Sequence, residues 1–509
     1  MKTLLSPDLV KGLVPNTGGG YSHQISPEAR LRRFLILGTD GGTYYQSEDS
    51  LNRENITNVL LCISELGLKR VRDIVVDILE NNRALRVKPA LLVLAIVAAH
   101  NKSLVFHGDI LDRCIGIPTH LFNFLDFYKA LGGSFSRMVR RAITRYYYRE
   151  GIYHHMVKYQ SRDGFSHRDV LRLAHVKPRD REMEAAFRWA THGMEGLEKT
   201  IVVNKNGATR EHHPIEDLRV LPEIILEYEE IKKIDRFEDL PHDLSRYPWE
   251  FFNTKLLNDP RLWKKIQTPA RAILRNVRRF AVMEDEELID LMVKRISEID
   301  PKKAKVHPMA TLLPYLAVRS LDRRLEAALE GLIQRAFRVE EFKLDCNLHI
   351  AVDVSASMTW IDNSGIIPIW MAMGIAWVLQ NLSRNTTVSA FSEKFDQINP
   401  GKIIQDKILP SFAFGATDCS LPMVKDEGAT DVFVVITDNE TNRNLIPPSK
   451  ALKDYRMKFN KPNAALVVLA LTATNFSIAD PNDPLMLDIP GFTDNIAQII
   501  SELQKGFER

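Results

Sequence analysis

The feature that most constrains this chain is a change of hydrophobic period near residue 345. Before it, NITNVLLCISELG, KRVRDIVVDILENN, PALLVLAIVAAH, LFNFLDFYKAL and FSRMVRRAITRYYYREG each place apolar residues three and four apart, the spacing of one helix face. Short breaks of Gly, Pro, Asn or Asp separate these stretches, and strand-like alternation is almost absent. A long series of short helices suits a helical-repeat solenoid. No fixed sequence period marks the repeats, so a generic helical domain is the competing reading. After the change, LHIAVDV, TTVSAFS, DVFVVITD and AALVVLAL are short runs rich in Val, Ile and Ala. They alternate with helical stretches around IPIWMAMGIAWVLQNL, PPSKALKDYRMKF and TDNIAQIISELQKG. Strand alternating with helix predicts a parallel sheet with helices on both faces. The expected organisation is a helical module over residues 1–345 and an α/β domain over 346–509. The polar piece NKNGATREHHPIEDL, from Asn204, is expected to be a surface loop or insertion.

A sheet of this kind presents ligands at the carboxyl ends of its strands. There the sequence is unusual: the run Ile350–Val352 stops at Asp353, and Ser355 and Ser357 follow on alternate positions. A later strand ends in ITDNE, which puts Asp438 at another strand end, and FGATDCS between them supplies Thr417 and Asp418 in a loop. A hard divalent cation such as Mg²⁺ takes oxygen ligands and keeps several waters, so one carboxylate and two hydroxyls on one turn form a partial shell. The competing reading is a hydrogen-bonded loop without metal. A serine nucleophile is disfavoured: no G-x-S-x-G elbow is present, and His349 faces the wrong way along its strand to serve Ser355 or Ser357.

Composition matters mainly for what it removes. Net charge is only +3, so nucleic-acid binding would have to come from clustering. A cluster exists. From Ser134 to Pro178 the cations Arg137, Arg140, Arg141, Arg145, Arg149, Lys158, Arg162, Arg168, Arg172 and Lys177 face only Glu150, Asp163 and Asp169. Tyr146, Tyr147, Tyr148, Tyr153 and Tyr159 are interleaved. Arg137, Arg141 and Arg145 recur at four-residue spacing with Arg140 beside them, a helix face suited to phosphates, and the rings could stack on unpaired bases. The plain alternative is a solvated helix face over core tyrosines. His167 in GFSHRD is by itself more often a structural or N-terminal helix residue than a ligand, with Ser166 capping the helix that follows. The four cysteines, Cys62, Cys114, Cys346 and Cys419, form no CxxC pair, which argues against a zinc ribbon or a disulfide scaffold and fits a reducing, cytoplasmic setting. The longest apolar run, PALLVLAIVAAH, falls short of the roughly 18 residues of a membrane span. MKTLLSPDLVKG lacks the apolar region of a secretory signal. GTDGG, Gly38 to Gly42, lacks the GK[ST] ending of a phosphate loop.

Asp-x-Ser-x-Ser, a Thr-Asp loop and a strand ending in Asp together resemble the metal-ion-dependent adhesion site of von Willebrand factor A domains. That resemblance implies that Asp353, Ser355, Ser357, Thr417 and Asp438 contact a divalent ion directly or through water, with Mg²⁺ first and Mn²⁺ or Ca²⁺ as alternatives. It also implies a coordination position left open for a partner's carboxylate. Over nearly its whole length the chain resembles the Ro ribonucleoprotein family, a TROVE module followed by a von Willebrand A-like domain. The matching stretches are GGGYSH, RLRRFLILGTDGGTYYQSEDSL, IPTHLFNF, DGFSHRDVLRLAHVKP, AVDVSASM, GATDCSLPM, DVFVVITDNET and ADPNDPLMLDIPGF. The resemblance implies an all-α ring of HEAT-like repeats followed by a Rossmann-like α/β domain that closes the ring. It implies a non-enzymatic RNA-binding protein, monomeric in its ribonucleoprotein, taking small Y RNAs on an outer basic surface and single-stranded 3′ ends of misfolded noncoding RNAs through the hole. A 3′ exoribonuclease is the implied downstream partner. Arg137, Arg140, Arg141, Lys158, Arg162, His167 and Arg172 fall in the part of the family rich in RNA contacts. The alternative is a scaffold in which the metal site grips an acidic protein ligand without RNA as main ligand.

Overall fold

The computed structural model describes residues 10–17, 19–38, 48–84, 86–162, 164–205, 208–212, 214–215, 217–304, 306, 309–318, 321–359, 368–406, 415–439, 441–442, 446–490 and 496–505. Contacts divide the chain into two compact units. One takes Met1–Gly67, Asn81–Pro89 and Ile273–Arg509; the other takes Leu68–Glu80 and Ala90–Ala272. The sheet-bearing unit thus includes amino-terminal residues as well as the α/β region.

Its six-stranded sheet is built from β1 (Leu344–Asp353), β2 (Ser383–Phe391), β3 (Phe395–Gln397), β4 (Val432–Thr437), β5 (Ala465–Ala470) and β6 (Met486–Pro490). The order across the sheet is β6-β5-β4-β1-β2-β3. The four pairings from β6 to β2 are parallel, and β3 runs antiparallel to β2 at the edge. Ile350 sits between Val434 and Val388, so the apolar run before Asp353 is covered on both sides. Every residue of β4 and β5 is buried, as parallel strands under helices require. The helix Pro368–Leu379 is apolar nearly all round and buried along most of its length. Leu452 and Tyr455 of a second helix, Pro448–Lys458, join Phe391 and Phe433 in one core cluster. Each such Leu or Phe stabilises the fold by about 1.5–3 kcal/mol relative to exposure. Two strands lack a period-2 signature in the sequence: β3 has three residues, and β6 carries Asp488 and Pro490.

The amino-terminal helix Pro27–Leu37 is fastened to this unit by a buried arginine. Arg33 donates to the carbonyls of Thr474 (3.1 Å) and Phe476 (2.8 Å) and pairs with Asp488 of β6. Ahead of it, Tyr21–Gln24 pairs antiparallel with Phe476–Ser477 and with Val14–Pro15. The helical stretches expected on either side of Gly67 are separated there by non-helical backbone at φ 81° and ψ 154°, a conformation that favours glycine.

In the other unit, three helices matter most: α1 (Arg137–Tyr147), α2 (Ile152–Lys158) and α3 (His167–Ala174). The segment expected to be a loop from Asn204 is instead half of a hairpin, Ile201–Lys205 against Ala208–His212, with Asn204 opposite Thr209. The polar side chains hid it, because the backbone ladder needs no apolar face. Among the described residues no helix is long and apolar enough to cross a membrane.

Candidate functional site

Helix α1 is sharply two-faced. Val139, Ala142, Ile143, Tyr146 and Tyr147 are buried, three and four residues apart, and this spacing turns Arg137, Arg140 and Arg141 outward. Helix α3 begins with a capping box: the Ser166 side chain accepts from the Asp169 amide, and the Asp169 carboxylate accepts from the Ser166 amide at 3.0 Å. Its buried positions are His167, Val170, Leu171 and Ala174, which leaves Arg168 and Arg172 exposed one turn apart. Among the described residues none of these five arginines has an acidic partner.

Their neighbours differ. Arg145 is held by Asp112 at 2.7 Å, and Arg149 reaches the same carboxylate at 3.3 Å while lying 3.7 Å over the Tyr146 ring. Lys158 is half-buried and paired with Glu250 at 3.2 Å. Arg145, on the predicted basic face, and Lys158, expected among the RNA contacts, are therefore engaged by carboxylates of the protein itself. Arg168, absent from the expected contact residues, is exposed alongside Arg172. Its signal was the four-residue spacing to Arg172. The side chain of Arg162 lies outside the described residues; its backbone is in a two-residue strand paired with Phe165–Ser166.

His167, expected among the RNA contacts, is buried in this structure, at 1 % exposure. Its Nδ1 shares a 2.7 Å hydrogen bond with the Tyr147 hydroxyl, and its ring meets Phe122 edge-on at 5.0 Å. Burial pushes its pKa down to about 3, so the ring is neutral at physiological pH. Through its Nδ1 bond to Tyr147, His167 serves as the pin between α1 and α3, while its buried Nε2 has no hydrogen-bond partner among the described residues. Tyr146 and Tyr147 are likewise core residues, which removes them as stacking platforms. Tyr148 is exposed, with its hydroxyl donating to the Lys177 carbonyl at 2.9 Å.

At the carboxyl edge of the sheet the second constellation assembles. Strand β1 ends at Asp353, and a tight turn buries Ser355 and Ser357 with their hydroxyls 3.0 Å apart. Asp353 Oδ1 accepts from the Ser355 amide at 2.9 Å, and Oδ2 accepts from the Thr437 hydroxyl at 2.6 Å. Thr437 closes β4, and Asp438 follows it, buried. The Gly415 carbonyl accepts from the Ala356 amide at 3.3 Å, drawing the Thr417 loop alongside. Thr417 is fully buried and, among the described residues, its hydroxyl has no hydrogen-bond partner. Asp418 instead accepts from the Ser420 amide and hydroxyl.

A buried hydroxyl without a partner, two clustered hydroxyls and two carboxylates form an all-oxygen donor set that fits a hard divalent cation. Burial first, and then the charge of Asp438, raises the Asp353 carboxyl above its usual range. A cation would relieve that repulsion. Among the described residues no group of three or more His, Cys, Asp or Glu side chains is placed to hold a metal. The residues that sequence reasoning missed are Thr437, Thr441 and Asn442. Asn442 Oδ1 accepts from the Thr417 amide at 2.7 Å, and the Thr441 hydroxyl donates to the Thr417 carbonyl at 3.2 Å.

A Ser-His-Asp series does occur elsewhere in the sheet. His349 Nε2 is 2.8 Å from the Ser389 hydroxyl, and its Nδ1 is 3.2 Å from Asp426. Ser389 is 0 % exposed, so no substrate carbonyl reaches it, and the series is a core network. The four cysteines are buried free thiols.

Residues 14–234 match the TROVE domain, and residues 347–504 match the Ro60 vWA domain. The chain thus matches the two domains in the order TROVE, then Ro60 vWA. Its relatives include proteins named RNA-binding protein RO60 from Caenorhabditis elegans and Deinococcus radiodurans. The first is 28% identical over 586 residues, covering 97% of this chain and 90% of the relative. The second is 28% identical over 531 residues, covering 97% and 95%. The crystal structure of the Deinococcus radiodurans RO (RSR) protein shares the fold, with a TM-score of 0.59 and 24% identity over 94% of this chain and 100% of that one. Helices α1 to α3 lie inside the TROVE match, and Asp353 through Asp438 lie inside the vWA match. The amino-terminal strands from Val14 also lie in the TROVE match, although they pack in the unit that holds the sheet.

Proposed function

We propose that this chain binds RNA, with α1 and α3 as a phosphate-contacting face. The observation that carries the reading is the contrast in pairing: Arg137, Arg140, Arg141, Arg168 and Arg172 are exposed without acidic partners among the described residues, whereas Arg145 and Arg149 share Asp112 and Lys158 pairs with Glu250. Unpaired guanidinium groups bind phosphate without first breaking an ion pair, and each contact releases counterions. Two relatives carry RNA binding in their names, which supports the same ligand class.

In this reading the RNAs are small Y RNAs and misfolded noncoding RNAs with single-stranded 3′ ends, held for quality control or decay in the cytoplasm. The protein supplies binding and no cleavage step; a 3′ exoribonuclease acts on the ends. Asp353, Ser355, Ser357, Thr417 and Asp438 would hold a divalent cation, Mg²⁺ before Mn²⁺ or Ca²⁺, which would supply a Lewis-acid position for a carboxylate from an acidic protein ligand. The deciding experiment compares an RNA having a structured stem and a free 3′ tail with the same stem lacking the tail. Tighter binding of the tailed RNA is expected. Equal affinity at every salt concentration would argue against recognition of ends, and no binding to either would end the reading.

A further inference from the structure

The amino-terminal segment approaches the cation-site loop more closely than a covering strand needs to. Asn16 is buried, and its side-chain amide donates to the Thr441 carbonyl at 2.7 Å and to the Ser22 hydroxyl at 3.0 Å. Its own Oδ1 accepts from the Gly20 amide at 2.8 Å, and the backbone of Asn16 donates to the Gly20 carbonyl at 3.0 Å. Asn16 therefore uses both ends of its amide, one to shape the segment and one to grip Thr441. Ser22 is buried as well, and its hydroxyl reaches the Asn439 carbonyl at 3.5 Å. Gly20 lies so near that a Cβ built on it would stand 2.0 Å from the Thr441 carbonyl oxygen and 2.9 Å from Asn442 Cα. No side chain fits there, so a glycine is required for the approach itself.

Thr441 and Asn442 are also the residues that hold Thr417. The Thr441 hydroxyl donates to the Thr417 carbonyl and accepts from the Cys419 amide at 3.4 Å; the Asn442 amide donates to the Thr417 carbonyl at 3.0 Å. Asn439 Oδ1 accepts from the Ile478 amide at 3.2 Å, and its own amide donates to the Thr437 hydroxyl, the group bonded to Asp353. One short loop thus touches the amino-terminal segment on one side and both Thr417 and Asp353 on the other.

We propose that the amino-terminal segment around Asn16, Gly20 and Ser22 is a latch for the cation site, so that docking of the segment and binding of the ion reinforce each other. The inference rests on the cation-site reading above. Asn16 and Ser22 are positioning residues: they touch no ion, and they fix the loop that places the Thr417 hydroxyl and the Asp353 carboxylate. Residues that orient a metal's ligands typically change affinity by about tenfold or more when removed. Linkage requires the reverse effect of equal size, so the ion must tighten the segment.

The test uses full-length protein and Mn²⁺. Calorimetric titration of wild type, Asn16→Ala, Gly20→Ala and Ser22→Ala is combined with hydrogen exchange of the peptide spanning residues 13–24, with and without Mn²⁺. Expected are an affinity about tenfold lower for Asn16→Ala and Gly20→Ala, a smaller loss for Ser22→Ala, and slower exchange of the wild-type segment when Mn²⁺ is added. Exchange that does not respond to Mn²⁺ in a wild type that binds it, with variants of unchanged affinity, would overturn the latch and leave the cation site standing. A wild type that binds no Mn²⁺ would remove both. The exchange measurement needs no variant, so a substitution that unfolds the protein does not obscure the answer.

Discussion

Replacing Arg137, Arg140 and Arg141 together with Ala should flatten the salt dependence of RNA binding, whereas replacing Arg145 should leave it almost unchanged. The difference follows from pairing and not from position, since all four lie on α1. If the five unpartnered arginines each contact one phosphate of a single-stranded tail, the slope of log affinity against log salt is about −3.5, at about 0.7 per contact. The triple variant keeps Arg168 and Arg172, which leaves about −1.4. At about 0.1 M salt, three lost contacts correspond to roughly a hundredfold loss of affinity. Arg145 contributes little because Asp112, 2.7 Å away, competes for the same guanidinium. Fluorescence anisotropy with a labelled tailed RNA, from about 0.05 to 0.4 M KCl, reads both quantities in the range where counterion release is linear. Circular dichroism checks that the variants are folded. A triple variant with unchanged slope would refute the argument. So would an Arg145→Ala slope as shallow per residue as that of the triple, since pairing would then not decide which cations bind.

Three further outcomes follow from burial. His167→Ala should lower stability by about 3 kcal/mol in urea titration, by opening a core cavity and losing the bond to Tyr147, while the salt slope at saturating folding stays that of wild type; a steep change of slope with no loss of stability would instead make the ring a ligand contact. Asp353→Ala should abolish Mn²⁺ binding measured by calorimetry, and a variant with wild-type affinity would reject the cation-site assignment. Asp426 supplies a pH test. Burial opposes its ionisation, yet His349, Thr430, the Gly428 amide and Tyr455 all hydrogen-bond the carboxylate, and the net effect lowers its pKa below the usual value of 3.8. A carboxyl with a lowered folded-state pKa contributes stability that is present above about 3.9 and is lost as pH falls below it toward the folded value. Asp426→Asn should therefore reduce the urea midpoint at pH 7 and narrow its gap to the wild type below pH 3; a gap that stays constant across that interval would mean the carboxylate charge is not what the network uses.

Much of the architecture was legible in the sequence, and the reasons it was not complete are physical. The strands ending at Asp353 and Thr437 announce themselves because a parallel strand buried on both faces must be a continuous apolar run. Met486–Pro490 does not, because an edge strand needs only backbone pairing, and its Asp488 is there to receive Arg33. The strand-end positions of Asp353 and Asp438 were legible because each follows directly on a buried, largely apolar run. What holds them was not: Asn16 and Thr441 are 425 positions apart and meet only through the fold.

The basic segment carries the sharper lesson, because there the sequence displayed the charges without their partners. Ten cations against three carboxylates between Ser134 and Pro178 read as one stripe. Asp112 lies before that stretch and Glu250 far beyond it, and together they pair with three of its cations. A local charge count cannot register carboxylates brought in by tertiary contact. It also cannot tell an exposed imidazole from a buried one: His167 stands beside two arginine-bearing positions in the sequence, but the α3 face that exposes Arg168 and Arg172 necessarily turns residue 167 inward with Val170, Leu171 and Ala174. The helical period that makes the arginines available is the same property that removes the histidine from the surface. Its 2.7 Å bond to Tyr147, itself on the inward face of α1, then fixes the two arginine rows relative to each other. Any effect of His167 on ligand binding must accordingly pass through the register of α1 and α3, and would be rescued by a substitution that restores the packing without restoring a titratable ring.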